Sequence, residues 1–247
     1  MQTATATLLS VPTQSSRAQR PTSLNGHGFQ RGVTTLLADE FFLIAHEERT
    51  GRTRLHPRAT GLGLAAGLIG ELMLMGRVRL CEGDLYVVNR NPPTDALAHE
   101  VLELLVAQPQ HRDLATWLAF LAQDSAVKVG ERLSRVGAVE PVTRRRLMGS
   151  HTLYMPLSAD QHNTMAWAPA RLADLLVRYI GMDLADRTLA GLVLATGLTR
   201  FVLWDLALHR PGLANLHTTV DSLPAELRQL VDYTQMSVGS VLAVGRK

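Results

Sequence analysis

The sequence is poor in cysteine, poor in lysine and free of long apolar runs. Cys81 is the one cysteine among 247 residues. Neither a disulfide framework nor a cysteine-rich zinc site can form within the chain, which fits a reducing compartment. Lys128 and Lys247 are the only lysines, and neither follows a glycine-rich run, so the sequence holds no P-loop. A bilayer-spanning helix needs about 18–20 apolar residues. The longest candidates, 61–70 and 189–199, stop at Glu71 and at Arg200. The start of the chain lacks the basic-then-apolar order of a secretory signal. The expectation is a cytoplasmic protein, with peripheral attachment to the inner face of the membrane left open.

Catalytic and metal-binding patterns are also missing. His46-Glu47-Glu48 has no second histidine four residues on, so the zinc-protease motif fails. The nine histidines show no ligand spacing. Gly61, Gly63 and Gly67 lack both the dinucleotide-binding spacing and a preceding strand, and read as a close-packed helix face. No metal, no cofactor and no catalytic residue is expected.

Charge is present but local. Residues 1–31 hold Arg17, Arg20 and Arg31 and no acid, leaving 22 basic against 22 acidic groups in the rest. Affinity for an anionic partner must therefore come from clusters. The same stretch is rich in Thr, Ser, Gln and Gly, and reads as a disordered basic arm that cannot offset its ordering entropy. From Thr34 the pattern turns helical. A threonine cap, Asp39 and Glu40 in the first turn, and Leu37, Phe41 and Ile44 on one face predict an amphipathic helix closed by Gly51. Residues 60–75 are apolar nearly all round, Glu71 being the only charge, and predict a buried helix.

Two helix-then-hairpin units follow. Residues 77–81 and 85–88 alternate around Glu82-Gly83-Asp84, the signal of a hairpin. Thr94 or Asp95 caps the next helix, and further helices are predicted near 112–123 and 126–136. A second hairpin begins at Val139, with Arg144, Arg145 and Arg146 at its tip or on its return arm. Helices near 167–180, 183–196, 199–208 and 223–242 complete the chain, separated by Gly181, Gly197 and Pro211-Gly212.

Two basic groupings stand out. Arg49, Arg52, Arg54 and Arg58 lie with His46 and His56 around one loop, and the Arg144 to Arg146 run adjoins Leu147 and Met148. Guanidinium groups bind phosphate bidentately, and arginines next to apolar residues suit an anionic membrane surface. Solvated turns give the same pattern. Helix-then-hairpin is also the outline of a winged helix, yet helix 60–75 holds no Arg or Lys to reach base edges and phosphates, which counts against nucleic acid. The helix near 126–136, with Lys128, Arg132 and Arg135, is less easily dismissed.

The order and spacing resemble the Golgi phosphoprotein 3 family, in its bacterial branch. The resemblance is carried by Thr35-Leu-Leu-Ala-Asp39-Glu40-Phe-Phe-Leu43, by Glu71-Leu-Met-Leu-Met-Gly76-Arg-Val78, and by Pro93-Thr94-Asp95-Ala-Leu97. Glu131-Arg132-Leu133 leading to Gly137-Ala-Val139, and Asp186-Arg-Thr-Leu-Ala190, extend it over about residues 34–243. It implies a mostly α, single globular helical domain over 32–247, with two small β-hairpins, one of them protruding. It also implies peripheral binding to phosphatidylinositol 4-phosphate, membrane-protein tails as partners, and self-association through the hairpin at 139–155. The family's lipid pocket uses one tryptophan and three arginines. By register these fall on His56, Ala65, Val127 and Gly130, so all four differ here.

The leading expectation is a peripheral membrane adaptor that binds anionic headgroups through Arg52, Arg54, His56, Arg58 and Arg144 to Arg146, with Leu147 and Met148 in membrane contact. The alternatives are a protein–protein scaffold without lipid affinity and a winged-helix-like nucleic-acid binder.

Overall fold

The structure is a computed structural model that describes residues 36–146, 149–156, 164–178 and 181–244. The basic arm expected at 1–31, Leu147 and Met148 lie outside the described residues. Ten helices and two antiparallel two-stranded hairpins occur among the described residues. In chain order these are α1 (Leu37–Ala45), α2 (Pro57–Leu74), β1 (Val78–Cys81), β2 (Asp84–Val87), α3 (Ala96–Ala107), α4 (Leu114–Leu121) and α5 (Ser125–Arg135). Then come β3 (Val139–Arg146), β4 (Gly149–Pro156), α6 (Thr164–Arg178), α7 (Leu184–Thr196), α8 (Thr199–Val202), α9 (Leu206–Asp221) and α10 (Ala225–Val244).

α1 and α2 form the centre. Every residue of α1 is buried, and α2 is buried without a break from Ala59 to Leu72, as its unbroken apolar sequence requires. Phe41, Phe42, Ile44, Leu64, Leu68 and Ile69 fill the space between them and their neighbours. Glycines allow the close approach: a Cβ on Gly67 would stand 2.9 Å from Ala38 Cα. α2 touches α1, α3, α4, α5, α7, α10 and β1, so one core joins both halves of the chain.

The helix starts differ from the sequence reading at α1. Its N-cap is Leu36, which supplies no side-chain cap. Glu71 of α2 serves instead, its carboxylate accepting from Ala38 N–H at 2.8 Å. The helix ends at Ala45, six residues before Gly51. Asp95 caps α3 as expected, accepting from Ala98 N–H at 2.8 Å.

The first hairpin turns on two residues, Glu82 (φ 51°) and Gly83 (φ 86°), with Asp84 already paired to Cys81. This is a left-handed two-residue turn that matches strand twist. In the second hairpin the Arg triplet occupies neither the tip nor the return arm. It forms the last three positions of the outgoing strand, where Arg144, Arg145 and Arg146 face His151, Ser150 and Gly149. The Pro211-Gly212 break is also absent, because α9 runs through both residues. A proline in the second turn removes one backbone bond. Burial of Leu216 and Val220 further along the helix, and close packing at Gly212, where a Cβ would stand 2.7 Å from Leu203, outweigh that loss.

Candidate functional site

Two groups of buried charges fix the scaffold around α1, and both grow from residues that look like surface charges in sequence. The Arg132 side chain is only 5% exposed. Its Nε donates to Asp39 Oδ1 at 2.8 Å, while Nη1 reaches Glu71 Oε2 and Asp95 Oδ1 and Nη2 reaches Glu71 Oε1, each at 3.0 Å. One guanidinium thus ties α1, α2, the cap of α3 and α5 together. Three carboxylates on one cation carry excess negative charge. Burial accordingly pushes Asp39 up to about 7 and also raises Glu71. On the other side of α1, Arg171 of α6 pairs with Glu40 and, at 2.6 Å, with Asp186 of α7.

This frame aligns α5 with the second hairpin. Val139, Leu153 and Tyr154 bury the hairpin's base, and the Tyr154 ring lies across Gly130 of α5, its hydroxyl donating to Val127 C=O at 3.2 Å. A Cβ on Gly130 would stand 2.5 Å from the tyrosine Cζ. Gly51, at φ 62°, lets the loop after α1 close against the hairpin, where its Cβ would lie 2.5 Å from Tyr154 C=O.

Between that loop, the N-terminus of α2, α5 and the hairpin lies a cavity of about 1070 Å³. The loop contributes His46, Arg52 and Thr53; α5 contributes Val127, Glu131, Ser134 and Arg135; the hairpin contributes Thr143, Thr152 and Tyr154. Arg52 and Arg135 are exposed, and no acid among the described residues pairs with either. His46 is buried, stacked on Phe42 at 3.9 Å between ring centres, and bonded from Nδ1 to Phe42 C=O at 2.7 Å. A carbonyl partner requires the proton on Nδ1, so Nε2 is left as an acceptor. Burial pulls this histidine down to about 4, with nearby Arg54 acting in the same direction. Tyr154 is raised by burial and by Glu131. At neutral pH the lining therefore holds two cations, one anion and several hydroxyls: a mildly positive, hydrogen-bonding recess.

A family model for Golgi phosphoprotein 3 (GPP34) matches residues 37–234. The chain belongs to the Golgi phosphoprotein 3 family. Among curated proteins none matches the chain closely enough to count as a relative. Golgi phosphoprotein 3 proteins are not a known enzyme family. Among the described residues no helix is long and apolar enough to cross a membrane, and no three His, Cys, Asp or Glu side chains assemble a metal site.

The residues singled out in sequence have separate fates in this Golgi phosphoprotein 3 chain. Arg52 lines the cavity. Arg54 does not: its Nε donates to His46 C=O at 3.1 Å and its guanidinium stands 5.1 Å over the Phe201 ring. His56 is the N-cap of α2, accepting from Arg58 N–H at 3.3 Å. Arg58 borders a second depression with Leu62, Ala122 and Val241. The backbone of Arg144 to Arg146 continues β3 outward from Thr143. Of the positions where the family pocket has its tryptophan and arginines, His56 is used as a cap and Ala65 is fully buried, while Val127 lines the cavity and Gly130 is covered by Tyr154.

Sequence reasoning did not assign Arg135, Glu131, Thr143, Thr152 or Tyr154 to this site, although it named Arg135 for the nucleic-acid alternative and Glu131 in a family motif. One usable signal was the repeated helix–glycine–strand order, which sets α5 beside β3. Of the three donors that a winged-helix reading would use on α5, two are engaged: Lys128 pairs with Glu100 at 2.8 Å and Asp124 at 2.7 Å, and Arg132 is buried, whereas Arg135 is exposed and lines the recess.

Proposed function

We propose that this chain is a peripheral membrane adaptor that binds anionic phospholipid headgroups and catalyses no reaction. The observation that carries the reading is the recess beside the second hairpin, where Arg52 and Arg135 stand without acidic partners among the described residues, next to a strand that ends in three arginines. A phosphate would take bidentate bonds from either guanidinium, and the hydroxyls would hold the rest of a headgroup. With a surplus of one positive charge and Tyr154 over Gly130, the recess favours an anionic headgroup in general over phosphatidylinositol 4-phosphate in particular. Leu147 and Met148, between the strands, would enter the bilayer surface. Self-association through hairpin 139–155 would add avidity, and membrane-protein tails are the partners that fit an adaptor.

The test is co-sedimentation of the full chain with neutral vesicles, anionic vesicles, and anionic vesicles containing phosphatidylinositol 4-phosphate, each at low and physiological salt. Binding to both anionic sets, weakened by salt, is expected. At about 1 kcal/mol per arginine, neutralising Arg144, Arg145 and Arg146 with glutamine weakens binding roughly 100-fold, and reversing their charge weakens it further. Selective binding to the phosphoinositide would refute the broad headgroup preference. No binding to any vesicle would leave the protein–protein scaffold.

A further inference from the structure

His46 is only 5% exposed, yet it is part of the lining of the recess. Its Nδ1 bonds to Phe42 C=O at 2.7 Å, and no donor among the described residues reaches its Nε2. A carbonyl only accepts, so Nδ1 carries the ring proton and Nε2 keeps a free lone pair. Arg52, Glu131 and Arg135 belong to the same lining but are exposed. Arg135 follows Glu131 by one helical turn, yet neither forms an ion pair among the described residues. The recess thus grades from unpaired charges at its mouth to a neutral acceptor at its floor.

We infer that the recess takes a phosphodiester whose other polar groups are uncharged hydroxyls, with the phosphate at Arg52 and Arg135 and the hydroxyls donating to Glu131 at the mouth and to His46 Nε2 at the floor. Charge balance selects the phosphodiester. Two guanidinium groups and one carboxylate leave a surplus of one positive charge, which a single diester anion cancels. The floor selects what lies beyond that phosphate. A second phosphate there would meet the lone pair of an acceptor and receive no proton from it. An ammonium could donate, but burial and the nearby Arg54, which together hold His46 down to about 4, disfavour any cation at that position. A hydroxyl donates without bringing charge, and it satisfies an acceptor that is otherwise costly to close off from water. Headgroups ending in glycerol or in an unphosphorylated ring of hydroxyls fit this order, whereas those ending in phosphate or an amine do not. Lipid headgroups and free phosphodiesters share this chemistry; a lipid source rests on the membrane reading above.

The experiment measures binding of the full chain to phosphatidylcholine vesicles that carry phosphatidylglycerol, phosphatidylserine or phosphatidic acid at matched surface potential. In parallel, imidazole nitrogen NMR follows His46 as soluble glycerophosphoglycerol or dimethyl phosphate is added. Phosphatidylglycerol should bind tighter than either other lipid by roughly fivefold or more, the worth of one hydrogen bond. Glycerophosphoglycerol should shift the Nε2 resonance, and dimethyl phosphate, which has no hydroxyl, should not. His46→Phe should bring phosphatidylglycerol down to the level of phosphatidic acid. Glu131→Gln, at an exposed position, should narrow the preference while strengthening binding to phosphatidic acid, which loss of the fold would not do. Equal binding to the three lipids, a preference for phosphatidylserine or phosphatidic acid, or a phosphatidylglycerol preference that survives both variants would overturn the inference and leave the membrane reading standing. A shifted Nε2 resonance without binding to any vesicle would overturn the membrane reading and support a free phosphodiester. Neither vesicle binding nor a shift would overturn both.

Discussion

Replacing Arg132 with leucine tests the account of the scaffold most directly. The substitution removes one cation from among Asp39, Glu71 and Asp95, all within hydrogen-bond distance of its guanidinium. Leucine fills part of the volume but leaves the carboxylates without a counter-charge. Breaking a buried pair by removing one partner costs about 3–5 kcal/mol, and here one cation on α5 serves three acids on three other segments. The loss at pH 8 is therefore expected near the top of that range, a large fraction of the 5–15 kcal/mol typical of a domain. The pH dependence is diagnostic. Burial already raises Asp39 to about 7 and raises Glu71, and without Arg132 both rise further. A carboxylate whose folded pKa is raised contributes stability that is full below its unfolded value, near 4, and lost as pH rises through the folded value. The penalty should thus be smaller at pH 5, below the value of Asp39, than at pH 8. Urea unfolding followed by circular dichroism at both pH values measures it. A cost below about 1 kcal/mol at pH 8, or a larger cost at pH 5 than at pH 8, would refute the reasoning.

Two further predictions concern the site. His46 is held down to about 4 from an ordinary 6.5, so its contribution is present above pH 6.5 and lost as pH falls toward 4; His46→Phe should remove that slope, whereas Asp39→Asn should remove the opposite one between pH 4 and 7. Unfolding midpoints across that range that leave either slope unchanged would contradict the assignment. Gly130→Ala forces a methyl into the Tyr154 ring and should destabilise by about 1–3 kcal/mol. The cost should shrink in a Tyr154→Leu background, and strictly additive costs in that double-mutant cycle would show that the two residues do not meet.

Most of the fold was legible because the signals were local. The unbroken apolar run of α2, the Asp95 cap, the Glu82-Gly83 turn and the paired apolar arms at Val139 each specify an element from a few neighbouring residues. The break expected at Pro211-Gly212 failed because tertiary burial of α9 outweighs one lost backbone bond. The cap expected from a threonine before α1 was displaced by Glu71, which lies 33 residues from the amide it accepts from.

The sequence by itself determined the helical class, the two hairpins, the family and the existence of arginine clusters, since periodicity, turn chemistry and motif order are all written in neighbouring residues. Only the tertiary structure decided which charges are available. Arg132, a motif residue in sequence, and Arg171 are tied up by buried and half-buried carboxylates; Arg54 and His56, which looked like ligand residues, hold a loop and cap a helix. Arg52 and Arg135 come from segments about eighty residues apart and share one recess because the buried Arg132 cluster and the Tyr154–Gly130 contact bring the loop, α5 and the hairpin together. A charge's role depends on its desolvation and its partners, and both are set by packing between segments distant in the chain.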